Sequence, residues 1–197
     1  MIEAYCDGSV SAKRSGWGFV GLRDGEVIHQ HQSPSLKAGT NQQMELLAAK
    51  EACEWAVQNR KVTSFELEPI IIYSDSAYVI NCYNQKWWRM WEDNGWRNAK
   101  NEEVANKVLW IDLIEYFKMP FFDFRHIKGH SGHIYNELAD KLAKGTAQPV
   151  SDADLTNNKK KDKIFIELSE LMLEYKTNKI STNEAINGIY NIMESNK

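Results

Sequence analysis

Residues Ile70-Ile71-Ile72-Tyr73 form an unbroken apolar run, entered just after Pro69 and closed by Ser74-Asp75-Ser76. A run this short, rich in β-branched residues and bounded by turn formers, reads as a strand covered on both faces, and α/β folds are where helices supply such cover. The run also delivers a carboxylate, Asp75, to the carboxyl end of the strand, the side of an α/β sheet on which ligands sit.

Acids recur in comparable settings three more times. Ile2-Glu3-Ala4-Tyr5-Cys6-Asp7-Gly8-Ser9 is a first strand with Asp7 near its end. Thr40-Asn41-Gln42-Gln43-Met44-Glu45-Leu46 opens a helix with Glu45 in its first turns, and Asn136-Glu137-Leu138-Ala139-Asp140 puts Asp140 on a late helix. Four carboxylates converging on one sheet end repel one another. A hard divalent cation removes that penalty, and an all-oxygen donor set suits Mg²⁺ or Mn²⁺.

The remaining pattern fills in a sheet. Gly16 to Leu22 and Glu26 to His31 flank Arg23-Asp24-Gly25, and Asp-Gly between extended segments signals a hairpin. Asn41 to Asn59 has helical spacing, and Ala77 to Tyr83 reads as a short helix leading into a segment with four tryptophans, Trp87, Trp88, Trp91 and Trp96. A helix from about Val104 to Phe117, a strand Phe121 to Ile127 and a helix from about Tyr135 to Lys144 follow. The order predicts an α/β domain: a mixed five-stranded sheet, three strands antiparallel and two joined in parallel by right-handed crossovers, flanked by helices.

These motifs resemble type 1 ribonuclease H. Tyr-Cys-Asp7-Gly-Ser, Thr40-Asn-Gln-Gln-Met-Glu45-Leu, Tyr-Ser-Asp75-Ser, and Lys128-Gly-His130-Ser-Gly-His133 followed by Asn136-Glu-Leu-Ala-Asp140 occur in the family's order over roughly residues 1 to 147. The resemblance implies the ribonuclease H-like fold and an endonuclease that cuts the RNA strand of RNA/DNA hybrids, leaving 5′-phosphate and 3′-hydroxyl ends. It implies two Mg²⁺ ions, with Mn²⁺ as the alternative, held by Asp7, Glu45, Asp75 and Asp140, and His130 as the proton carrier of the catalytic set. Two metals can between them activate a water and stabilise the leaving oxygen.

The same resemblance assigns substrate contacts to Thr40, Asn41, Gln42, Tyr78, Trp87, Trp91, Trp96, Asn106 and Asn136. Asn41 and Gln42 address the 2′-hydroxyl, the mark of RNA. Residues 86–107 correspond to the family's substrate-binding protrusion, whose rings pack on the DNA strand. That arm is usually strongly basic. Here Lys86, Arg89, Arg97, Lys100 and Lys107 face Glu92, Asp93, Glu102 and Glu103, a balance of only +1. An exonuclease on the same fold would want an acid two residues after the first, where this chain has Ser9. A non-catalytic hybrid-binding or assembly module is the other alternative, against which all four acids speak.

A net charge of -3 gives no global attraction for nucleic acid, so contact must come from local patches. Cys6, Cys53 and Cys82 show no metal or disulfide spacing, and there is neither a secretory-type N-terminal stretch nor an apolar run near 18 residues. A cytoplasmic protein without membrane contact is expected. The composition changes at Pro149. Residues 1–148 read as the catalytic domain, 149–163 as a linker with a lysine cluster, and 164–197 as a helical hairpin. In the hairpin, Ile164, Phe165, Leu168, Leu171, Met172 and Tyr175 share one face; Ile186, Ile189, Tyr190 and Met193 share another, behind a Ser181–Glu184 capping box. Such faces need cover from the domain, from a second copy in self-association, or from a protein partner.

Overall fold

The structure, a computed structural model, describes residues 1–61, 68–147, 164, 171 and 180–195. Strands β1 (Ile2–Val10), β2 (Ser15–Arg23) and β3 (Glu26–Gln32) run antiparallel. Asp24 and Gly25, both at positive φ (51° and 80°), turn β2 into β3, the backbone a tight right-twisted hairpin requires. Helix α1 (Asn41–Asn59) leads to β4 (Ile70–Ser74), and α2 (Ala77–Gln85), α3 (Trp87–Asp93) and α4 (Lys107–Phe117) precede β5 (Phe122–His126) and α5 (Ile134–Lys144). The sheet order is β3-β2-β1-β4-β5, with β4 parallel to both β1 and β5.

Both faces are covered, as the Ile70 run predicts. On one face Ile2, Ala4, Cys6, Ile70, Ile72 and Phe124 pack with α1, α2 and α4. On the other, Tyr5, Val20 and Leu22 pack with Tyr135, Ala139 and Leu142 of α5. Strand alternation therefore sends neighbouring residues of β1 to opposite helices.

The largest differences from the sequence reading lie between Tyr83 and Lys107. The tryptophan segment contains a helix, α3, set off from α2 by Lys86 in the left-handed conformation. The next helix starts at Lys107 instead of Val104, because Asn106 also takes positive φ (60°) and ends the extended approach. Helix α2 runs on to Gln85, up to the Lys86 kink.

The chain divides into two units, Met1–Gln148 and Pro149–Lys197. Of the second, the 149–163 linker lies outside the described residues, as does most of the Ile164–Tyr175 face; Ile164 and Leu171 are helical. Helix α6 (Thr182–Ser195) begins with the expected capping box: Ser181 N–H donates to Glu184 Oε2 at 2.7 Å, and Glu184 N–H to Ser181 Oγ at 3.4 Å. Its covered side holds Ala185, with Ile189 half-buried, while Ile186, Tyr190 and Met193 are exposed. Ile189 lies at the edge of the stripe nearest Ala185.

Candidate active site

Positions 7 and 8 of β1 show how the fold gathers acids. Asp7 pairs across the sheet with Gly18, on the side where α5 packs. Gly8 points the other way, into α1: a Cβ there would lie 2.3 Å from the Glu45 backbone nitrogen. Only glycine lets α1 approach this closely, and the approach brings Glu45 beside the end of β1. Helix α1 itself starts at Thr40, whose Oγ1 accepts from Gln43 N–H at 3.2 Å while Gln43 Oε1 accepts from Thr40 N–H at 2.9 Å.

Asp75 follows the last residue of β4. Ser76 then caps α2, accepting from Val79 N–H at 3.3 Å, and its hydroxyl donates to Glu45 Oε2 at 2.5 Å. The Ser76 hydroxyl therefore ties the acid of α1 to the loop that carries Asp75. The backbone at Gly129 packs against Asp75, since a Cβ at Gly129 would fall 2.6 Å from Asp75 Oδ2. His130, next in the chain, is exposed at φ 51°. At the far end of this loop His133 begins α5 and stacks on Tyr5, ring centroids 4.8 Å apart. The loop is anchored at both ends with His130 projecting between.

Asp7 is only 9% exposed. Burial, with the charges of Asp75 and Asp140 added, pushes its carboxyl up to about 8. Burial also raises Glu45, with a further contribution from Asp75, partly offset by the Ser76 hydrogen bond. Asp140 is held by Lys144 at 2.7 Å, one turn further along α5. Among the described residues no three acid, histidine or thiol side chains form a closed ion cage. The donor set nonetheless fits a hard cation, since it is all carboxylate and its buried member, Asp7, holds a proton more tightly than usual because of burial and the neighbouring acids.

The arm is less polar than its sequence suggests. Trp91, assigned to substrate, is 7% exposed and lies 5.5 Å from Trp110 and 6.1 Å from Trp96. Its ring supports the arm from within and presents no free face. Trp87 and Trp96 are half-buried, the former donating to Gln85 Oε1 at 3.0 Å. The hydroxyl of Tyr78 accepts from Trp110 Nε1 at 2.9 Å. Glu92 reaches out of the arm to Lys118 at 2.9 Å.

Asn41 and Gln42 are exposed in the first turn of α1. Gln43 and Asn106 line a cleft of about 520 Å³ with Lys107. Asn136 is 2% exposed, and its Oδ1 has no donor among the described residues. Three contributors escaped the sequence reading: Ser76, Lys144 and Gly129. Ser76 carried a signal, a serine directly before a helical segment and directly after an acid, and so did Lys144, four residues after Asp140 on one helix; Gly129 depends on a contact between elements.

A sequence profile of the RNase H family matches residues 1–148, the span that contains the whole five-stranded sheet. The chain belongs to the RNase H family. Membership carries the class of activity, that of an endoribonuclease. The ribonuclease H of Syntrophomonas wolfei is 41% identical over 146 residues, 73% of this chain and 93% of that protein. A foamy viral protease-reverse transcriptase in complex with RNA/DNA hybrid superposes with a TM-score of 0.60 at 26% identity, over 74% of this chain and 20% of the viral one. The PFV RNase H domain, also 26% identical, superposes with a TM-score of 0.55 over 74% of this chain and 92% of that domain. Residues 149–197 lie outside the span of the profile.

Proposed function

We propose that residues 1–148 form a catalytic domain that hydrolyses the RNA strand of RNA/DNA hybrids, leaving 5′-phosphate and 3′-hydroxyl ends. The observation that carries this reading is the convergence of Asp75 and Asp140 on the buried Asp7 carboxyl, which burial and those two acids push up to about 8. Family membership and the RNA/DNA hybrid bound by the foamy viral relative support the choice of substrate.

Asp7, Glu45, Asp75 and Asp140 would hold the divalent cations. When bound, Mg²⁺ or Mn²⁺ supplies the activation of water and the neutralisation of charge on the leaving oxygen. The rest falls to the chain's own groups. His130, exposed and next in the chain to the Gly129 that packs on Asp75, takes or returns a proton during turnover. Asn41 and Gln42 read the 2′-hydroxyl from the first turn of α1. Thr40 and Asn106 take phosphate oxygens, Trp87, Trp96 and Tyr78 meet the DNA strand, and Asn136, in the first turn of α5, contributes to substrate binding.

Residues 149–163 then serve as linker and 164–197 as a helical extension, whose exposed Ile186, Tyr190 and Met193 favour self-association or a protein partner. Three buried free cysteines suit a reducing, cytoplasmic setting. The function is tested by end-labelling each strand of a hybrid in turn, with matched double-stranded DNA and RNA beside it. RNA-strand fragments with 5′-phosphates, formed only with Mg²⁺ or Mn²⁺, are expected. Cleavage of the DNA strand, or none in any substrate, contradicts the proposal.

A further inference from the structure

A second cleft, of about 510 Å³, opens where α2 bends into α3 and where α4 turns into β5. Its volume lies in the range of small-molecule sites. Phe122, the first residue of β5, lines it, whereas Asp75 follows the last residue of the parallel strand β4. The cleft is thus at the opposite end of the sheet from the acids.

Its walls join flat rings to positive charge. Trp88, Phe117 and Phe122 supply the rings, and Lys86, Arg89 and Lys118 the cations. Arg89 lies 5.3 Å and Lys118 5.7 Å from the centre of the Trp88 ring. Lys118 is already neutralised by Glu92 and Glu115, both at 2.9 Å. Lys86 and Arg89, by contrast, are exposed and make no ion pair among the described residues. The buried indole N–H of Trp88 has no acceptor there either, a state that is costly in a folded protein unless an acceptor arrives.

Rings, unpaired cations and an unused donor converge on one ligand chemistry. We propose that this cleft binds one nucleoside monophosphate unit, its base against the aromatic wall and its phosphate toward Lys86 and Arg89. Base–aromatic stacking tolerates any base, and a guanidinium adds charge without sequence preference. The unit comes either from free nucleotide or from an unpaired strand. Hydrolysis plays no part in the proposal, so Asp75→Asn protein should bind as well as the unaltered chain.

The test follows the Trp88 indole resonance of the full chain by NMR during titration with AMP and, separately, with a 5′-phosphorylated single-stranded DNA tetranucleotide. A saturable shift with either probe, weakened about tenfold by Arg89→Gln at the exposed rim, is expected. A shift with AMP alone assigns free nucleotide as the ligand, and one with the tetranucleotide assigns a strand. No shift with either probe at millimolar concentration, or binding that Arg89→Gln leaves unaltered, overturns the proposal.

Discussion

Lys144 holds the carboxylate of Asp140 at 2.7 Å, four residues on along α5. The acid assigned to one metal is thus already paired with a fixed cation, and a divalent ion must compete with it. An exposed pair of this kind contributes little, about 0.3–0.5 kcal/mol, so the competition is mild. Lys144→Ala should lower the Mg²⁺ concentration for half-maximal hybrid cleavage about twofold, with the maximal rate maintained. A raised metal requirement would show that Lys144 acts on the substrate instead.

Asp7 makes the metal-free protein sensitive to pH. Its folded carboxyl is pushed up to about 8, against an ordinary value of about 4 in the unfolded chain. The folded state therefore holds a proton that the unfolded state has released, and stability falls as pH rises from about 4 to about 8. Melting temperatures in EDTA should decline across that window. Added Mg²⁺ should flatten the decline by taking the place of the proton, and Asp7→Asn should flatten it without metal. A melting temperature independent of pH in all three cases would contradict the burial of an uncompensated charge at Asp7.

The arm yields a prediction about salt. Glu92 is occupied with Lys118 at 2.9 Å, and the segment's net charge is small, so few phosphates are neutralised there. Each phosphate contact contributes roughly -0.9 to the slope of log affinity against log salt. Changing Glu92 and Asp93 together to lysine leaves Lys118 with Glu115 as its partner and should steepen the slope for hybrid binding by about one to two. An unchanged slope would remove this part of the arm from the interface.

Much of this architecture was legible because its signals are local. The Ile70 run, the Asp24-Gly25 turn and the spacing of Asn41 to Asn59 each settle an element within a few residues, and motif order brings the four acids to one sheet end. Contacts between distant elements were not legible. No pattern near Trp91 says that its ring meets Trp110, whereas Lys144, four residues after Asp140 on α5, stands at a readable ion-pair spacing. Left-handed residues at Lys86 and Asn106, neither of them glycine, likewise moved helix boundaries with no compositional mark.

The most direct test of the account is single-turnover cleavage of an RNA-labelled hybrid by the unaltered chain and by Asp75→Asn, each with Mg²⁺ and with EDTA. Asp75→Asn keeps the shape of the side chain and removes its charge. The stabilisation lost is several kcal/mol, so the rate should fall by at least about a hundredfold while hybrid affinity stays within a few-fold and the fold is maintained. Cleavage by Asp75→Asn at the unaltered rate, or cleavage by the unaltered chain in EDTA, would contradict a metal-dependent site built on these carboxylates.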